Sequence, residues 1–97
     1  MKDFLDRFDA LPIGAFDMIY EGALWRAVRT DFSDGRSQKL VAHEAGGNGY
    51  VSLNLYRLEE DRALLRPCEM PREAAEDFVL NARQVGRTGA KESAGPK

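Results

Sequence analysis

Two dipeptides, Glu21-Gly22 and Asp34-Gly35, constrain this chain more than any other feature, because each lies between runs in which apolar and polar residues alternate. The tightest hairpin loops need positive φ at their central residues, and Asp-Gly and other glycine pairs supply it at low cost. Such a turn also sets the register, since a slip of one residue would send every side chain to the opposite face. Around Glu21-Gly22, Tyr20 falls opposite Ala23, Met18 opposite Trp25 and Phe16 opposite Ala27. One face then collects Phe16, Met18, Tyr20 and Trp25, while on the other Asp17 meets Arg26 as a favourable cross-strand pair. Around Asp34-Gly35, Val28 falls opposite Val41, Ala27 opposite Ala42, Arg26 opposite His43 and Trp25 opposite Glu44.

The third of these strands runs into Gly46-Gly47-Asn48-Gly49, a turn or a stretch of backbone that another group must approach closely. After it, Tyr50 to Leu58 alternates, with Val51, Leu53 and Leu55 on one side and Tyr50, Ser52, Asn54 and Tyr56 on the other. The acidic residues 59–61 turn the chain, and a three-residue loop sets Leu55 opposite Leu65, Tyr56 opposite Leu64 and Asn54 opposite Arg66. Pro67 ends that strand because it has no N–H to donate.

The ends read as helices. Phe4, Leu5, Phe8 and Leu11 recur at helical spacing, Asp3 is placed to cap, and Pro12 and Gly14 stop the run. Pro71 suits a first helical position. Ala74, Ala75, Phe78, Val79, Ala82 and Val85 extend a stripe to Gly86, a C-cap residue. The expected fold is α+β: a five-stranded antiparallel meander sheet flanked by an N-terminal and a C-terminal helix, with one face covered by one or both. Residues 1–86 make a single domain, and residues 87–97, without apolar periodicity, a disordered tail.

Charge narrows the partners. The formal net charge is −2. The last twelve residues hold three bases and one acid, which leaves the body mildly acidic and makes nucleic acid a disfavoured partner. No apolar run approaches the ~20 residues of a membrane helix, and the acids in the first residues break any signal-peptide pattern. A single cysteine excludes an internal disulfide and fits a reducing cytoplasm.

Cys68, between Pro67 and Pro71 at a strand–helix join, is the one candidate nucleophile. A nearby helix N-terminus and Arg66 and Arg72 would activate a thiol. Glu69 opposes that, His43 lies on a distant strand, and free cysteines are commonly buried filler. One cysteine and one histidine do not make a metal site, and there is no dinucleotide, P-loop or zincin motif, so neither metal nor cofactor is expected. The set that suits binding is the polar face: Tyr50, Asn54, Tyr56 and Arg66, with Arg26 and Arg62 in support. The leading expectation is a non-enzymatic binding or interaction module using that face, with a homodimer, a protein partner or a small ligand as its occupant. A thiol-dependent enzyme or redox sensor using Cys68 is the alternative, and single-stranded nucleic acid stacked on the tyrosines a weaker one.

The segments Asn54-Leu55-Tyr56-Arg57-Leu58 and Leu65-Arg66-Pro67-Cys68-Glu69-Met70-Pro71 resemble a family of small, uncharacterised bacterial proteins of about this length. The likeness spans residues 39–79 and implies a bacterial, stand-alone, one-domain protein. It brings no activity, cofactor or site residue.

Overall fold

The computed structural model describes residues 2–59 and 62–85. In chain order these form α1 (Lys2–Asp9), β1 (Gly14–Tyr20), β2 (Ala23–Phe32), β3 (Ser37–Glu44), β4 (Tyr50–Arg57), β5 (Ala63–Pro67), α2 (Arg72–Asn81) and β6 (Arg83–Gln84). The strands make one antiparallel sheet in the order β5-β4-β3-β2-β1-β6. The class is α+β, as the pattern requires. Both glycine turns form, with φ of 52° and 78° at Glu21 and Gly22 and of 56° and 88° at Asp34 and Gly35. Across the second, the Arg36 N–H donates to Ser33 O at 3.1 Å. Every pairing expected around these turns and around residues 59–61 is present.

The strand count differs, six instead of five. The helical stripe was expected to run on through Ala82 and Val85, but α2 ends at Asn81 and Ala82 turns into extended backbone (φ −69°, ψ 143°). The cause lies in tertiary contacts. The free edge of β1 offers unpaired backbone groups, and the chain supplies partners. Arg83 and Gln84 pair with Ile19 and Met18, and the Val85 N–H donates to Asp17 O at 3.0 Å. Arg7 of α1 fixes the bend by donating to Ala82 O at 2.7 Å. Ala82 is buried all the same, so its apolar position is satisfied without the helix. Pro71 stands one residue before the first helical residue, and Asp3 lies within the first turn of α1, where a carboxylate still favours the helix dipole. Gly86 and the tail lie outside the described residues.

Both helices cover the same side of the sheet. Phe4 and Phe8 of α1 and Ala75, Phe78 and Val79 of α2 pack with Phe16, Met18, Leu40, Leu53 and Leu55 into one core. Arg29, only 7% exposed, fastens α1 to it. From β2 its guanidinium donates to Phe8 O at 3.0 Å and Leu11 O at 2.9 Å. It also forks onto Asp31 at 2.9 and 3.2 Å and lies 4.8 Å from the centre of the Phe8 ring. The last carbonyls of a helix lack intrahelical donors, so the buried cation supplies what the helix end needs.

Candidate functional site

Because side chains alternate along every strand, burying one face leaves a second, which no helix covers. Ladder pairing sorts that open face into rows. Asp17, Arg26, His43 and Tyr50 form one row, followed by Val28, Val41 and Ser52. Thr30, Lys39, Asn54 and Arg66 come next, and then Phe32, Ser37, Tyr56 and Leu64. Tyr50 is 49% exposed, Tyr56 41% and Phe32 49%, although each is large enough to add to a core. His43 leans on Tyr50 with ring centres 4.8 Å apart.

Charge divides between the two sides. The helices carry three bases, Lys2, Arg7 and Arg72, against six acids. The open face carries Arg26, Lys39, Arg66 and, opposite Ile19, Arg83, against the single acid Asp17. All four cations are exposed, and none takes part in an ion pair among the described residues. The ion pairs that do form lie elsewhere: Lys2 with Asp6, Arg29 with Asp31, Arg57 with Asp9 and Arg72 with Glu76. A wet face with unpaired cations beside open rings can bind an anion that also presents flat or apolar surface.

Tyr50, Asn54, Tyr56, Arg66 and Arg26 all fall on this face, with Asn54 half-buried between Lys39 and Arg66. They form two groups rather than one: Arg26 sits in the row of Tyr50, and Arg66 in the row next to Tyr56. Ser52 shares the face but is only 3% exposed, closed into the middle row. Arg62 does not join the set. It lies beyond the last ladder pair of β5, donates to Glu59 O at 3.4 Å and lines a cleft with Arg36 and Arg57. Lys39, Phe32 and Arg83 were not anticipated. For Lys39 the signal was present, since it shares the alternation of Val41 and His43, but the register that sets it beside Asn54 depends on the unreadable loop before β4.

The other candidates resolve differently. Cys68 lies four residues before α2 rather than at its N-terminus. It is half-buried, its N–H donates to Ser52 O at 2.9 Å, and its Sγ accepts from Asn54 Nδ2 at 3.6 Å. His43, which a thiolate would need as its base, faces Tyr50 on the far side of β4. The glycine-rich loop is accounted for by packing. A Cβ at Gly49 would stand 2.5 Å from Cη2 of Trp25, and one at Gly47 2.6 Å from Cδ of Glu44. The Gly49 N–H donates to the Glu44 carboxylate at 3.1 Å. Nearby, Tyr20, Trp25 and Phe78 form an aromatic cluster, and the Tyr20 hydroxyl donates to Asp77. Burial, aided by that bond and by the negative charges of Asp77 and Glu21, pushes the Tyr20 phenol up to about 12. A cleft of about 540 Å³ lies between α1 and the β4–β5 hairpin; of its three cations Lys2 and Arg57 are paired with Asp6 and Asp9, and Arg62 donates to Glu59 O.

Among the described residues, no group of three or more His, Cys, Asp or Glu could hold a metal ion. None of the described helices is long and apolar enough to cross a membrane. Comparison with protein-family models, with curated proteins and with solved structures gives no match to this chain.

Proposed function

We propose that this protein is a non-enzymatic binding module that docks an anionic partner on the open face of its sheet. The observation that carries this reading is the set of cations: among the described residues no exposed cation of that face takes part in an ion pair, whereas the arginines and the lysine on the helix side are largely held in ion pairs. Unpaired cations beside exposed aromatic rings favour a partner that brings negative charge and apolar surface together. A second copy docked face to face would set like charges against each other, so self-association fits the sheet edges better. Those edges are β5, which ends at Pro67, and the part of β1 before Asp17 that β6 and Val85 leave uncovered. The single free thiol suits a reducing cytoplasm.

Heparin serves as a generic polyanion to test the reading. The full chain should be retained on a heparin column at low salt. The triple variant Arg26→Glu/Lys39→Glu/Arg66→Glu should pass through. The tail variant Arg87→Ser/Lys91→Ser/Lys97→Ser should keep most of the retention. A native chain that is not retained, or one whose retention depends on the tail alone, contradicts the reading.

A further inference from the structure

We infer that the occupant of the open face is a single-stranded nucleic acid, whose bases stack on Tyr50 and Tyr56 and whose phosphates reach Arg26, Lys39 and Arg66. This rests on the reading of that face as a docking surface for an anion, and adds to it the kind of anion. Three features of the face carry the inference.

The first is the distribution of rings. Tyr50 and Tyr56 belong to one strand, six residues apart, or ~20 Å at the rise of a β-strand. They mark the two ends of the face, and each has a second ring in its row: His43 beside Tyr50, and Phe32 two strands from Tyr56. Sequence-tolerant binding of single strands uses this layout, with successive bases laid on separate aromatic platforms.

The second is where the cations lie. Lys39 and Arg66 occupy the row between the two ring groups, on β3 and on β5, and flank Asn54. A docked protein would put its driest contact there and leave both cations desolvated, and protein interfaces are depleted in charge at the centre. A nucleic-acid strand instead brings a phosphate at every nucleotide, so cations alternating with rings along its path are what it needs. Asn54 between them offers an amide donor and acceptor to a base edge.

The third is shape. Rings rising from a sheet can reach the faces of unstacked bases but not those inside a duplex. The chain's overall acidity does not oppose this, because the ladder rows of the open face hold one acid, Asp17, among the described residues, whereas the helices on the other side hold six. Local charge at the contact, not net charge, decides phosphate binding.

The test titrates the full-length chain into fluorescently labelled single-stranded dT12 and reads anisotropy. The controls are a 12-base-pair duplex and competition with polyaspartate and heparin. The expected result is binding to the single strand that weakens about 20- to 50-fold between 50 and 200 mM salt, as three or four phosphate contacts require. Tyr56→Ala and Tyr50→Ala should each weaken it by about 5- to 150-fold, the range for one lost stacking contact. Tyr56→Leu, which keeps apolar bulk without a ring, should fail in the same way, while circular dichroism confirms that each variant is folded. Heparin should compete only by charge, so its own retention should be insensitive to the tyrosine variants. Binding of heparin and polyaspartate as tight as that of dT12, with no effect of the tyrosine variants, would overturn the nucleic-acid inference and leave the anion-docking reading standing. Failure to bind any of these polyanions would overturn both.

Discussion

Arg29 is the residue whose loss the fold should tolerate least. Replacing it by Met keeps much of the unbranched side-chain volume, so the change tests charge and hydrogen bonding and not a cavity. Four donated bonds disappear, two to Phe8 O and Leu11 O and two to Asp31. The Phe8 carbonyl keeps the Leu11 N–H at 3.0 Å but loses its charged donor, the Leu11 carbonyl loses the guanidinium as well, and Asp31 keeps a charge without that partner. Breaking a buried ion pair from one side costs about 3–5 kcal/mol. In a chain of 97 residues, each kcal/mol moves the melting midpoint by ~4–8 °C, so Arg29→Met should lower it by roughly 12–40 °C. Thermal and urea unfolding followed by circular dichroism would read this, with an unchanged urea slope showing that stability alone has moved. Arg29→Lys should recover part of the loss, since an ammonium can serve the carbonyls but cannot fork onto Asp31. Arg29→Met combined with Asp31→Asn should cost less than the two single changes added together, because neither charge is then stranded. A loss below about 1 kcal/mol for Arg29→Met, or strict additivity in the double variant, would refute the assignment of Arg29 as the tie between α1 and the sheet.

Three further outcomes follow from the geometry. Gly49→Ala should destabilise the protein by about 1–3 kcal/mol and shift the fluorescence of Trp25, its only tryptophan, because the new methyl meets the indole; unchanged emission and stability would contradict the close approach. Tyr20 holds its proton in the folded state up to about 12 against an ordinary value of 10.0, so the stability it provides is complete below pH 10 and is lost as pH rises toward 12. Urea midpoints over that range should fall less steeply for Tyr20→Phe; an identical decline would remove Tyr20 as the cause. Cys68 should react with iodoacetamide more slowly in the native protein than in urea at the same pH, being half-buried and bonded to Asn54. A native rate equal to or above the unfolded one would restore the thiol reading.

The parts of the fold legible in the sequence are those fixed by neighbours in the chain. Glu21-Gly22 and Asp34-Gly35 each fix a turn, each turn fixes a register, and the registers carry Asp17 to Arg26 and Arg26 to His43. The parts not legible depend on partners far away in sequence. Val85 reads as helical by period, yet its N–H pairs with Asp17 O on the edge of β1. Arg29 reads as one of many surface arginines until the C-terminal carbonyls of α1 arrive above it. Arg62 has the alternation of Tyr56, but it lies past the last ladder pair, where its backbone closes the turn onto Leu58 and Glu59 and its side chain donates to Glu59 O. The sequence places Tyr50, Asn54, Tyr56, Arg66 and Arg26 on the candidate face, whereas Lys39, Arg83 and the separation of this face from the acids of the helices come only with the topology. A net of −2 averages acids on the helices with bases on the sheet, and only the topology separates them.

Whether the open face is the working surface can be read from an amide chemical-shift map of ¹⁵N-labelled protein as single-stranded dT12 is added at low salt. Shifts should concentrate at Arg26, Lys39, His43, Tyr50, Asn54, Tyr56 and Arg66, with α1 and α2 unmoved. Shifts confined to the helices or to residues 86–97, or no shifts at all, would contradict that role of the face.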